Sequence, residues 1–134
     1  MKIDGKCHCG FIKYEAEVNP DEVYLCHCTD CQAISGAAFR WAVSVPEGCF
    51  KLLTGKPKTY VKVAESGTPN HQLFCPECAS PIYSISIGVG PKVLNLRLGT
   101  ARQRADLMPK VQYYCRSAQD WAVVHEPCRR LETE

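Results

Sequence analysis

Three cysteines fall within six residues at Cys26-His27-Cys28-Thr29-Asp30-Cys31, a C-x-C fused to a C-x-x-C. Two more close pairs, Cys7/Cys9 and Cys75/Cys78, lie on either side of this run. Sulfurs from distant segments that share one ion pin those segments together, so metal binding becomes part of folding. A disulfide framework is the alternative, but it belongs to oxidising compartments and small secreted chains. Seven of the ten cysteines sit in tight groups. Close pairing lets one turn deliver two sulfurs to one ion, so the spacing favours metal over disulfides. Cys49, Cys115 and Cys128 stand alone.

With 134 residues, the chain is long enough for one domain with a modest core, expected over residues 1–134 with a polar tail at about 126–134 that frays. Met1-Lys2-Ile3-Asp4-Gly5 has no apolar stretch of the signal-peptide kind, and no run approaches the roughly 20 apolar residues of a membrane span. The expectation is a cytoplasmic protein with no membrane partner. The formal charge of +2 counts the thiols as neutral. Seven metal-bound thiolates would take it to −5, and two zinc ions would bring it back to −1. A near-neutral protein without a basic tail is a poor nucleic-acid binder, so no nucleic-acid partner is expected.

Along the chain, short alternating runs dominate. Cys7 and Cys9 are two apart, so on an extended segment they share a face while His8 points away; Gly10 permits a sharp turn. Ile12, Tyr14, Ala16 and Val18 form one face of a strand, and Asn19-Pro20-Asp21 a turn. Glu22 to Leu25 reads as a second strand, antiparallel to the first, leading into the three-cysteine run. A short helix starting near Thr29 and stopped by Gly36 would aim N–H groups at the site and favour thiolates at Cys28 and Cys31. Further strands are expected over Ala38 to Val45, Cys49 to Leu53, Lys58 to Val63, Pro81 to Ile87, Val93 to Leu98 and Met108 to Tyr114. Glu65 to Asn70 reads as a polar loop, and Trp121 to Val124 as an apolar segment closing the core. Lys51, Lys56, Lys58 and Lys62 read as a solvated strand face. The fold class is mainly β, with short strands and one or two short helices.

Cys7, Cys9, Cys75 and Cys78 make a natural four-thiolate site, which as a closed zinc site would be structural. Cys26, Cys28 and Cys31 leave two readings open. Cys49 or His27 could supply a fourth ligand and close the site, or the fourth position could stay free for a water or a substrate thiol. Ferredoxin spacings and C-x-x-C-H are absent, and Cys75-Pro76-Glu77-Cys78 lacks the βαβ context of a thioredoxin.

The order of motifs resembles one family. Cys7-His8-Cys9-Gly10, Tyr14, Cys26-His27-Cys28-Thr29-Asp30-Cys31, Gly36-Ala37-Ala38-Phe39, Gly55-Lys56-Pro57-Lys58-Thr59-Tyr60 and Phe74-Cys75-Pro76-Glu77-Cys78 follow the pattern of the glutathione-dependent formaldehyde-activating enzymes. That family shares its domain with centromere protein V, and the resemblance spans about residues 3–124. It implies a β-rich fold of several coiled sheets with two zinc ions per chain. By this resemblance, Cys7, Cys9, Cys75 and Cys78 would hold a structural zinc, and Cys26, Cys28 and Cys31 a catalytic one. It implies a carbon–sulfur lyase with a small thiol such as glutathione and an aldehyde such as formaldehyde as substrates, in the manner of an S-(hydroxymethyl)glutathione synthase. The alternative is a non-catalytic zinc module that binds a protein or another ligand. Arg40, Arg97, Arg102 and Arg104 are candidates for the thiol's carboxylates, with Tyr60 and Trp41 as walls. Two positions depart from the family pattern: Ala79 replaces a glycine after the last pair, and Gln112-Tyr113-Tyr114 replaces a segment beginning with histidine.

Overall fold

The computed structural model describes residues 1–63, 66–122, 124 and 127–134. Its strands are β1 (Lys2–Lys6), β2 (Lys13–Glu17), β3 (Val23–Cys26), β4 (Arg40–Pro46), β5 (Phe50–Thr54), β6 (Lys58–Val63), β7 (Pro69–Phe74), β8 (Pro81–Ser86), β9 (Val93–Arg97), β10 (Val111–Tyr113) and β11 (Arg129–Arg130). One α-helix, α1 (Thr29–Ser35), lies between β3 and β4, and the other helical turns are short 3₁₀ pieces. The mainly β expectation holds.

The strands form two sheets. One is three-stranded, in the order β1-β2-β5. The other is eight-stranded, in the order β11-β10-β3-β4-β9-β8-β7-β6. The predicted pairing of β2 with β3 is wrong. β2 runs between β1 and β5, whereas β3 pairs antiparallel with β4 and parallel with β10. The 3₁₀ turn over Pro20–Glu22, capped by the Asn19 side chain, carries the chain from one sheet to the other.

The main core gathers side chains from both sheets: Ile3, Ile12, Tyr14, Val23, Val43, Val45, Leu96 and Leu98 among others. The alternation read for β2 is seen directly, since Ile12, Tyr14, Ala16 and Val18 are all buried. β3 is buried at every position. Val23 enters the main core, while Tyr24 and Cys26 face a second cluster with Cys31, Ala42 and Val111. β4 divides the same way: Val43 and Val45 enter the main core and Ala42 the second cluster. This second face of β3 and β4 is the floor on which the three-cysteine run sits.

The tail is more ordered than its polarity suggests. Arg129–Arg130 pairs in parallel with Val111 and Gln112, and Cys128 is buried. Backbone hydrogen bonds from Leu131 to Gln112 and from Cys115 to Leu131 hold it against β10. Trp121 is 73% exposed, so it does not close the core, although Ala122 is buried; Val123 lies outside the described residues. Pro69 and Asn70, expected in a loop, begin β7, and Glu65 of that loop lies outside the described residues, as does Glu126 at the start of the tail. Among the described residues, no helix is long and apolar enough to cross a membrane.

Candidate functional site

Two sulfur clusters stand in the fold. The first joins two turns from different parts of the chain. Gly10, at φ +84°, turns the chain after Cys9, and its N–H donates to the Cys7 carbonyl at 3.1 Å. The second turn follows β7, where the Ala79 N–H donates to the Cys75 carbonyl at 2.8 Å. The four sulfurs of Cys7, Cys9, Cys75 and Cys78 all lie within 4.8 Å of one another. Cys7 and Cys9 are 3.6 Å apart, and Cys9 and Cys75 are 3.8 Å apart. A tetrahedron with metal–sulfur bonds of about 2.3 Å has edges of about 3.8 Å, so the set suits a zinc ion. Backbone N–H groups from Ile12 and Glu77 donate to the sulfurs of Cys7 and Cys75 at 3.2 and 3.4 Å. The Ser80 hydroxyl, in contact with the Cys78 sulfur, leads in holding that thiol down at about 5. Burial pushes the Cys7 thiol up, but the Ile12 N–H and the thiols of Cys75 and Cys9 bring it below its ordinary value. His8 is exposed and outside the set, as its alternation requires.

Ala79, where the resemblance has a glycine, lies in the left-handed region that glycine adopts readily, with φ +66°. The turn is retained at a cost in backbone strain, because a Cβ crowds the carbonyl in the left-handed region.

The second cluster comes from one segment. β3 ends at Cys26, Cys28 caps α1, and Cys31 lies in its first turn. The three sulfurs lie within 4.8 Å of one another. Neither residue considered as a fourth ligand joins them. Cys49 ends a 3₁₀ turn before β5 and is exposed. His27 is fully buried, and its Nε2 is 2.9 Å from the Gln112 Oε1. Among the described residues, no fourth donor belongs to the set.

Of the two cysteines at the helix start, only Cys28 is favoured as a thiolate, and its neighbouring thiols contribute more than the helix N–H. Cys26 and Cys31 hydrogen-bond to its sulfur and bring the thiol down to about 2, assisted by the Cys31 N–H at 3.3 Å. Cys31 itself is pushed up: hydrogen bonding to Cys26 favours its thiolate, but Cys28 and burial outweigh it. Cys26 moves up for the same reason, as donor to Cys28. Three sulfurs so close together concentrate their negative charge on one.

Two cavities meet at this cluster. One, of about 410 Å³, has an apolar side that includes Ile34, Phe39 and Trp41 and a polar side that includes Arg97, Ser80 and Thr100, and it reaches Cys31. The other, of about 830 Å³, is lined by polar groups including Ser44, Asn70 and Asn95, and reaches all three cysteines. Asp30, Cys31, Arg40, Lys62 and Gln72 line both.

Arg40 and Arg97 reach the site; Arg102, Arg104 and Tyr60 line neither cavity. Arg102 instead pairs with Asp4 at 2.7 Å, and Arg104 donates to the Ala101 carbonyl. Arg40 donates to the Tyr24 hydroxyl at 3.0 Å, and its Nε is buried with no hydrogen-bond partner. Burial opposes its charge, but Tyr24 and the three sulfurs more than offset this. Arg97 donates to Gln72 Oε1 and to the Asn95 carbonyl. Burial, with repulsion from Arg40, lowers its pKa to about 10. Trp41 does form a wall, with its Nε1 held by the Leu107 carbonyl at 3.1 Å.

Lys62 does not belong to a solvated basic face. It crosses to Asp30 at 2.7 Å, linking β6 to α1 at the rim of both cavities. Sequence reasoning missed this pair, and it missed Tyr24, which links Arg40 to Asn95. It also missed the Gln112 contact, although Gln112 had been noted as a departure from the family pattern. No local pattern marks a residue brought in from β10 or β6; only sheet order does.

Residues 2–117 match the family described as glutathione-dependent formaldehyde-activating enzyme. A crystal structure of a Rhodobacter sphaeroides protein is similar in fold, with a TM-score of 0.57 and 17% identity over 72% of this chain and 85% of that one. No curated protein matches the chain.

Proposed function

The chain belongs to the glutathione-dependent formaldehyde-activating enzyme family, and we propose on that premise that it makes and breaks a carbon–sulfur bond between a small thiol such as glutathione and an aldehyde such as formaldehyde. In this reading Cys7, Cys9, Cys75 and Cys78 hold a structural zinc ion, and Cys26, Cys28 and Cys31 hold a catalytic one. The observation that carries it is the three-sulfur set, which lacks a fourth protein donor among the described residues and opens onto two cavities. When bound there, zinc supplies a fourth position in which a substrate thiol loses its proton.

The chain's own groups account for the rest. The half-buried guanidinium of Arg40 feels the charge of all three sulfurs. It lowers the cost of bringing one more anionic sulfur to the cluster. In the addition, the sulfur lone pair forms the bond to the carbonyl carbon and the π pair moves to oxygen. That oxygen then takes the proton the thiol gave up. Charge developing on the oxygen needs a fixed cation, and Arg40 and Lys62 both line the two cavities. Phe39 and the anchored Trp41 ring keep water from the apolar side.

The test is the rate of S-(hydroxymethyl)glutathione formation and decay, followed by exchange NMR with the zinc-loaded protein. The expected result is a clear acceleration that Cys28→Ser removes and Arg40→Met lowers by about 10²-fold. Equal rates with and without the protein would leave a zinc-binding module in place of an enzyme.

A further inference from the structure

The two cavities differ in character more than formaldehyde and glutathione require. The groove lined by Tyr24, Ser44, Asn70, Ser86 and Asn95 presents hydroxyls and amides, which suit a peptide-like thiol. One side of the second cavity is formed by Ile34 of α1, Ala37 and Phe39 of the following loop, Trp41 of β4 and Pro81 of β8, while Arg40, Arg97 and Lys62 line the rest with other polar groups. Its volume is about 410 Å³. A water occupies about 30 Å³ of the liquid, so the two heavy atoms of formaldehyde would leave most of this space unfilled. A cavity of this size with a continuous apolar side and a few polar groups is typical of sites that bury the apolar part of a small ligand.

The walls are also built to keep their shape. Trp41 is fixed through its indole N–H to the Leu107 carbonyl. Phe39 packs edge-on against the buried His27 ring, with centroids 5.5 Å apart. Ser35, whose hydroxyl accepts from the Ala37 N–H at 3.2 Å, fixes the start of the loop that leads from α1 to Phe39. Cys31 lines both cavities, so an atom beside its sulfur can reach the groove on one side and the apolar space on the other.

We propose that the aldehyde served by this site carries an apolar substituent, seated among Ile34, Ala37, Phe39, Trp41 and Pro81 while the thiol's polar body lies in the groove. This rests on the thiol–aldehyde reading above and narrows its substrate class. The reaction is the same addition: the carbon–sulfur bond forms, the carbonyl π bond opens, and the thiol's proton ends on oxygen, with no oxidant or reductant. The substituent lies on the carbon being attacked and directs it to the sulfurs from the apolar side.

The experiment compares phenylacetaldehyde with formaldehyde as partners for glutathione, using the zinc-loaded protein and Ala37→Trp, which fills the cavity. A hydrophobic pocket discriminates by about tenfold or more for each methylene it holds. Phenylacetaldehyde should therefore exceed formaldehyde in kcat/KM by at least about tenfold, and Ala37→Trp should collapse that ratio. A ratio that favours formaldehyde and is unmoved by Ala37→Trp overturns the inference and leaves the carbon–sulfur chemistry standing. Failure of both aldehydes to react removes the chemistry, and binding of the unreactive analogue 2-phenylethanol then decides the cavity. Quenching of Trp41 fluorescence by 2-phenylethanol, absent in Ala37→Trp and present in Trp121→Phe, supports an apolar-ligand site. No quenching in the parent protein overturns it.

Discussion

Cys9 and Cys75 are 66 residues apart in sequence, and their sulfurs meet because two turns from different parts of the chain are brought together. Cys26, Cys28 and Cys31 need no such meeting, since β3 and the start of α1 place all three. The four-sulfur cluster has Cys7 and Cys75 in the main core. The three-sulfur cluster sits on the opposite face of β3 and β4, at the junction of two cavities. The two clusters differ in what depends on them. An ion shared by sulfurs from distant segments would tie those segments together, whereas the sulfurs of β3 and α1 are placed by one continuous segment.

This contrast is broken most severely by substituting a core sulfur of the first cluster. Cys75→Ser should remove one of two metal equivalents and cost at least about 3 kcal/mol, read from urea unfolding with metal analysis in parallel. Cys28→Ser should also remove one equivalent, but cost no more than about 1–2 kcal/mol while abolishing turnover. Equal losses of stability from the two variants would mean that the clusters share one role.

A smaller effect sharpens the picture of the first cluster. Ala79 holds a left-handed conformation that glycine adopts without strain. Ala79→Gly should raise stability by about 1 kcal/mol in the same unfolding assay, without changing metal content. A loss of stability would show that the Ala79 methyl group contributes more than its strain costs.

The smallest expected effect concerns the surface pair beside the first cluster's strand. Arg102 holds the Asp4 carboxyl down at about 2, from an ordinary 3.8. A carboxyl lowered in the folded state adds stability above its unfolded pKa, and that stability fades as pH falls through the folded one. Acid-unfolding curves of the parent and Asp4→Asn should thus separate above pH 3.8 and converge by about pH 2. The pair is exposed and salt-screened, so the separation should shrink in high salt.

Much of this was legible in the sequence because metal spacing and strand alternation are local signals. The C-x-C and C-x-x-C pairs, the face of Ile12, Tyr14, Ala16 and Val18, and the stop at Gly36 each depend on neighbours a few residues away. Gly36 does adopt the left-handed cap, at φ +66°. The pairing of β2 with β5 rather than β3 was not legible, because strand partners are chosen by shared burial over the whole chain. The tail read as fraying for the same reason: only β10 reveals why Arg129–Arg130 is paired. At the site, the sulfurs were found from spacing, whereas Lys62 and Gln112 arrive through sheet order; Tyr24, two residues before Cys26 on the same face of β3, was within reach of the alternation and was missed. Of the four arginines considered, sequence could not separate Arg40 and Arg97 from two that point elsewhere.

The central claim is that one cluster is closed and the other open, and cobalt substitution tests it most directly. The protein loaded with two cobalt ions should show thiolate charge-transfer bands from both sites, and adding glutathione should shift the bands of one site only. That shift should vanish in Cys28→Ser, whose remaining bands stay fixed. Bands that no small thiol moves, or a shift that survives in Cys28→Ser, would contradict the account.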